Sequence, residues 1–270
     1  MIGAIIGDII GSRFEFNNKK TKDFELFAKE CRPTDDSLMT LAIAKAIMEA
    51  EKIIRDSRDE DYYTHIEKMT VLCMQELGRK YPDAGFGGMF FKWLFSDNPM
   101  PYNSFGNGAA MRISPVGFAA KTEEEACKLS KIVTGVTHNH KEGLKGAEAV
   151  AVAIYMARHG AGKDEIKKKI EENYYDLDFR LDDIRPSYQF DVTCQGSVPQ
   201  AIKAFLESIS FEDAIRNAVS LGGDSDTIGA ITGGIAEAYY GVPGEFKEKA
   251  LSYLTEELRL IVKEWYDFIA

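Results

Sequence analysis

Basic residues are in deficit: 33 Lys and Arg stand against 43 Asp and Glu, a formal net charge of −10. A nucleic-acid groove needs clustered cations, so no nucleic-acid partner is expected. A phosphate-bearing small molecule stays admissible if bound cations reset the local field. Cysteine is scarce, and Cys31, Cys73, Cys127 and Cys194 lie far apart with no C-x-x-C pair, which reads as reduced thiols in an intracellular protein. Long apolar runs are missing. The opening MIGAIIGDIIGSRFEF is interrupted by Asp8 and has no basic region before it, so neither a membrane span nor a signal peptide is expected, and the expected compartment is the cytoplasm. Strand-length alternation of apolar and polar residues is almost absent, as are Pro- or Ser-rich linkers and repeats at solenoid spacing. There is no G-x-S-x-G elbow and no P-loop, which weakens the serine-hydrolase and Walker-type NTPase readings.

What is present is a globular balance, 45% hydrophobic and 28% charged over 270 residues. Helical periodicity is widespread. In Leu38–Ala50 the residues Leu38, Leu41, Ala42, Ala46 and Ile47 share one stripe, and comparable helices are predicted at Tyr63–Leu77, Glu123–Val133, Gly143–Arg158, Lys163–Asn173, Val198–Glu207, Phe211–Leu221, Ile228–Tyr240 and Phe246–Phe268. Ser210 with Asp213 three positions on reads as a capping-box variant. The expected fold is all-α, in a single domain over residues 1–270, because the most polar stretch, Asp176–Arg185, is short enough for a loop. Gly3, Gly7 and Gly11, spaced by four, strip one face of the first helix so that another helix can approach closely.

Several segments are candidates for chemistry. Pro33-Thr34-Asp35-Asp36-Ser37 precedes an apolar helix and on its own reads as a helix N-terminus. Gly222-Gly223-Asp224-Ser225-Asp226-Thr227 precedes another, yet Asp224 and Asp226 cannot both cap one helix. Both motifs join two acids to a threonine. Brought together, four carboxylates would repel and their pKa values would rise, and two divalent cations would cancel that charge. Carboxylate and hydroxyl oxygens are hard ligands, suited to Mg²⁺ or Mn²⁺. Phe105-Gly106-Asn107-Gly108-Ala109-Ala110-Met111-Arg112 reads equally as a turn or as a phosphate cradle in which Gly106 and Gly108 admit close backbone approach. Thr137-His138-Asn139-His140 lacks a third zinc ligand, leaving a hydrogen-bonding imidazole or a structural one. Glu15, between Phe14 and Phe16, needs a partner if buried, and Asp83, between Pro82 and Ala84-Gly85, also fits a turn.

In order along the chain, GDIIGSRFEF, PTDDSLMTLAIAKAI, PDAG, GNGAAMR, VTHNH, TCQGSVPQAI and GGDSDTIGAITGGIAEAYYG resemble the ADP-ribosylglycohydrolase family. The resemblance implies a compact, orthogonal multi-helix domain whose cleft holds a binuclear Mg²⁺ or Mn²⁺ site. Thr34, Asp35 and Asp36 match the family's first metal triplet, and Asp224, Asp226 and Thr227 the second. Glu15 matches an acid near the metals and Asp83 an acid implicated in catalysis. Gly106, Asn107, Gly108 and His138 match segments that hold the diphosphate and ribose. The implied activity is removal of ADP-ribose from modified protein, with the N-glycosidic bond to arginine favoured. Serine linkages, O-acetyl-ADP-ribose and a non-catalytic crystallin-like role are the alternatives, and a monomer is expected. Asn17–Arg32 and Arg158–Asp191 match poorly and are expected to line or cover the cleft.

Overall fold

The structure, a computed structural model, describes residues 1–53 and 60–270. Fourteen α-helices fill the described residues: α1 (Ile2–Gly11), α2 (Asp35–Ile53), α3 (Glu60–Lys80), α4 (Gly88–Leu94), α5 (Ser114–Ala119), α6 (Glu123–Gly135), α7 (Lys141–Arg158), α8 (Lys163–Asn173), α9 (Leu181–Ile184), α10 (Cys194–Leu206), α11 (Phe211–Ser220), α12 (Ser225–Tyr240), α13 (Gly244–Tyr253) and α14 (Glu256–Ile269). No strand occurs among them; one isolated bridge pairs Gly106 with Thr193. No described helix is long and apolar enough to cross a membrane. The predicted all-α class and its long helices are therefore observed.

One predicted element is wrong. Phe246–Phe268 is two helices, because Leu254 turns extended (ψ 147°) and Thr255 caps α14, its side chain accepting the Leu258 N–H. Thr255-Glu256-Glu257 is a start signal in sequence, with acids in the first turn favoured by the helix dipole. The Ser210 cap is observed, accepting the Asp213 N–H at 3.1 Å. Asp213 reaches back one residue further than a standard box, to the Ile209 N–H at 3.0 Å.

Two helices form the spine that positions the site. Along α1, Gly3, Gly7 and Gly11 face Gly233, Gly229 and Ser225 of α12, and a Cβ added at Gly7 would sit 1.9 Å from the Gly229 carbonyl oxygen. The close packing expected of the glycine stripe is thus realised on both partners. One continuous apolar core runs from this pair through α2, α7, α10 and α11. Such contact leaves little room for a side chain between the backbones, and it carries Asp8, next to Gly7, up to the N-terminus of α2.

Candidate active site

The two acid-plus-threonine motifs meet. Thr227 Oγ1 donates to Asp36 Oδ2 at 3.3 Å across 191 residues of sequence. Thr34 Oγ1 lies 3.4 Å from the same oxygen and 2.7 Å from Asp8 Oδ1. Carboxylate oxygens of Asp8, Asp36 and Asp226 lie within 4.8 Å of one another, as do those of Glu15, Asp224 and Asp226. Asp226 belongs to both groups. Asp35 faces the same cavity, so every acid of the two motifs, with both threonines, is at one place.

Asp8 is the residue that sequence reading missed. It is fully buried, and it accepts the N–H groups of Thr34 (2.9 Å) and Ser37 (3.1 Å) along with the Thr34 and Ser37 hydroxyls. Asp8 thereby satisfies two of the four orphan donors at the start of α2 from outside that helix, and Thr34 Oγ1 takes a third, the Asp36 N–H, at 3.3 Å. The Ala84 carbonyl takes the Asp35 N–H at 3.1 Å. The first turn of α2 is capped without help from the Asp35 or Asp36 side chains, so the helix-N-terminus reading does not account for those acids. The signal was available: a carboxylate inside an apolar helix must find donors or neutralise.

A second turn builds the other motif. Gly222 and Gly223 both take positive φ (69° and 72°), a conformation open to glycine at little cost. Asn18 Oδ1 accepts the Gly223 N–H at 2.7 Å, while its Nδ2 donates to the carbonyls of Phe14 and Glu15. Lys20 Nζ donates to the carbonyls of Leu221 and Tyr188. The poorly matching stretch from Asn17 thus straps this loop to the one bearing Glu15.

Electrostatically the cluster is under load. Burial first, then the neighbouring carboxylates, pushes Asp35 up to about 7 and holds Asp36 and Asp226 well above the usual carboxylate range. Burial and Asp224 raise half-buried Glu15 to about 7. Burial raises Asp8 and Asp224 as well, against the hydrogen bonds that favour their ionised forms. Asp36 Oδ1 is buried with no hydrogen-bond partner. Without cations such a cluster takes up protons instead, and the orphaned oxygen amid five other acids is a ligand atom free for a hard divalent cation. The residues present fit the cations that the sequence implied.

A stability consequence follows from the sign of these shifts. Folded-state values above the unfolded ones mean that the native protein binds extra protons between the ordinary carboxyl range and about 7. Stability is then fullest at low pH and is lost as pH rises through the folded values. Chelator-treated protein is expected to melt at least about 5 °C higher near about pH 5 than near about pH 8, at roughly 2–4 °C per kcal/mol for a chain of this size. Added Mn²⁺ should erase the trend, and calorimetry over that range checks it.

All of these acids but Asp8 line a cavity of about 450 Å³, which Gly106, Asn107, Gly108, Arg112 and His138 line as well. Asn107–Ala109 forms a single 3₁₀ turn, not the start of an α-helix. Its donors are partly committed: Asn107 Nδ2 bonds Asp224 Oδ2 at 2.7 Å, and the N–H groups of Gly106 and Asn107 go to Ser104 Oγ and the Val192 carbonyl. The side chain of Asn107 therefore braces the acid cluster. A Cβ at Gly106 or Gly108 would lie 3.6 or 3.3 Å from His138 Nε2, so both glycines keep space open at that ring. His140 does something else, capping α7 by accepting the Glu142 N–H at Nδ1. Glu15 faces the cavity; Asp83 does not. Its side chain is exposed on the turn before Gly85, and it is Gly85 that reaches the lining.

An all-helical scaffold presenting a buried acid cluster beside a glycine-lined wall defines a class of metal-fitted cleft proteins, and comparison makes that class specific. The profile described as ADP-ribosylglycohydrolase matches residues 1–267, and the chain belongs to that family. It is similar to ADP-ribosylhydrolase ARH3 of Homo sapiens, 24% identical over a gapped alignment of 334 positions that covers 94% of this chain and 88% of that protein. It is similar to ADP-ribosylarginine hydrolase Tri1 of Pseudomonas putida (strain GB-1), 24% identical over a gapped alignment of 295 positions that covers 99% of this chain and 76% of that protein. The Rhodospirillum rubrum glycohydrolase of ADP-ribosyl-dinitrogen reductase is 26% identical over 266 residues, 89% of this chain and 84% of that one. A solved ADP-ribosylglycohydrolase-related protein complex shares the fold, with TM-score 0.64 and 22% identity over 100% of this chain and 96% of that one.

Proposed function

We propose that the protein removes ADP-ribose from modified arginine side chains by hydrolysing the N-glycosidic bond, with two Mg²⁺ or Mn²⁺ ions as cofactors. The observation that carries the reading is the convergence of both acid-plus-threonine motifs on Asp226, with Asp36 Oδ1 left unpartnered. Thr34, Asp35, Asp36, Asp224, Asp226 and Thr227 hold the ions. Bound there, the ions supply Lewis acidity, polarising the oxygens they touch and easing deprotonation of water.

The chain's own residues do the rest. Asp8 and Asn107 hold the acids in place through the hydrogen bonds described. Gly106, Gly108 and His138 accept the diphosphate and ribose of the ADP-ribosyl group. Departure of the leaving group builds positive charge on the sugar, and acids beside it stabilise that charge. Glu15, with a carboxyl poised near neutrality and facing the cavity, is placed to move a proton, and Asp83 stands on the turn at the cavity edge as the second candidate.

The arginine linkage is supported by the mouth of the cleft. Phe16 and Phe190 stack there with ring centroids 6.0 Å apart and an interplanar angle of 29°, and Phe190 and Glu15 both line the cavity. A guanidinium is a planar cation that suits an aromatic face beside a carboxylate, whereas a serine O-glycoside offers neither plane nor charge and an acetyl ester, though planar, offers no charge. The decisive assay compares kcat/KM for ADP-ribosyl-arginine, ADP-ribosyl-serine and O-acetyl-ADP-ribose under the same metal and pH. Arginine is expected to lead by at least about tenfold, the worth of one cation–π contact. A higher value for either of the others would overturn the linkage and leave the metal-dependent hydrolase standing.

A further inference from the structure

Arg112 is an oddity on the cavity wall. It is 1% exposed, yet among the described residues no carboxylate lies within ion-pair distance of it. Burial pushes its guanidinium down to about 10, and its Nε has no partner. A buried cation of this kind is costly unless its donors are used. One of them is: Nη2 donates to Thr137 Oγ1 at 2.7 Å. That same hydroxyl lies 2.7 Å from His138 Nδ1.

The proton positions follow from counting. Thr137 Oγ1 carries one hydrogen, and besides the incoming Arg112 N–H it has two neighbours, His138 Nδ1 at 2.7 Å and the Thr134 carbonyl at 3.5 Å. An O–H donor bonds at about 2.5–3.0 Å, so the carbonyl is too far and the hydrogen goes to Nδ1. Nδ1 is then an acceptor, and the proton of the neutral ring sits on Nε2. Nε2 is the atom that Gly106 and Gly108 leave room for. An imidazolium would instead aim an Nδ1–H at an oxygen already receiving a guanidinium N–H. The charged and titratable side chains beside the ring are Arg112 and Tyr102, neither of which is an anion at neutral pH.

We propose that Arg112 and Thr137 form a relay that fixes His138 as a neutral imidazole donating its Nε2–H into the cleft, between Gly106 and Gly108, toward an anionic oxygen of the bound ADP-ribosyl group. The binding half rests on the function proposed above; the tautomer does not. Arg112 and Thr137 are positioning residues, one polarising the hydroxyl and the other reading the ring. Burial first, and the charge of the unpaired arginine second, keep the imidazole from protonating, so the cleft presents one donor of constant orientation.

The test needs the whole protein, ¹⁵N-labelled and loaded with Mn²⁺ for binding or kept diamagnetic with Mg²⁺ for spectra. Long-range ¹H–¹⁵N correlations of His138 are expected to show the Nε2–H tautomer, neutral from about pH 5 to about pH 8, well below and above the free imidazole value. Thr137→Val should lose the tautomer preference and weaken ADP-ribose binding about tenfold, the scale of one hydrogen bond. Its Mn²⁺ affinity should be unchanged, and Thr137→Ser should restore both properties. An Nδ1–H ring or an imidazolium in the unsubstituted protein overturns the relay. So does Thr137→Val binding ADP-ribose as the parent does. Failure of the unsubstituted protein to bind ADP-ribose overturns the reading of the cleft and the positioning role with it, while the spectra still judge the tautomer.

Discussion

Asp226→Ala is expected to lower kcat by about 10³-fold or more and, at the same time, to raise the melting temperature of the metal-free protein. The two effects have one cause. Asp226 is the carboxylate common to both acid groups, so removing it unmakes both cation sites at once. Without cations it is a liability: burial and the charges of Asp36, Asp224, Asp8 and Glu15 all disfavour its ionised form. Deleting it relieves that repulsion at neutral pH, and the helical circular dichroism should be unchanged because its backbone stays within α12. The stabilisation that Mn²⁺ gives the parent, RT ln(1 + [L]/Kd), should vanish in the variant. Scanning calorimetry with and without Mn²⁺, alongside turnover, reads all three quantities. Retention of both Mn²⁺ stabilisation and turnover would remove Asp226 from the site.

Glu15→Gln is the second large effect, expected to reduce kcat by about 10²–10⁴-fold, the range for loss of a general acid or base. Glu15 lines the cavity and its carboxyl sits near 7, where either protonation state is accessible. Asp83→Asn is expected to cost less, since its carboxyl is exposed and outside the lining. Steady-state kinetics on both variants, with ADP-ribose binding measured in parallel, separates proton transfer from affinity. A loss of about 10²-fold or more from Asp83→Asn alone would give the proton to Asp83 and leave Glu15 as a holder of cations.

The legible part of this protein was the part written in local patterns. Helical stripes located α2, α6, α7, α8, α10, α11 and α12, and paired acids with a threonine marked both halves of the cluster. What stayed hidden depended on partners distant in sequence. Asp8 looked like an interruption in an apolar helix because its donors, Thr34 and Ser37, lie 26 and 29 residues away. Asn107 reads as a ligand for substrate and does line the cavity, but that its Nδ2 also braces Asp224, 117 residues on, is not legible locally. Pro82-Asp83-Ala84-Gly85 carried no information about which of its residues would face the cavity. The break at Leu254 and Thr255 is marked only by a cap signal inside a longer apolar period, and the period alone predicts one helix.

Under the proposed function, hydrolysis needs cations held by these acids. Turnover of ADP-ribosyl-arginine by protein stripped with excess EDTA tests it most directly. The expected result is no measurable product, with activity returning when Mg²⁺ or Mn²⁺ is added beyond the chelator; full activity in EDTA would contradict the account.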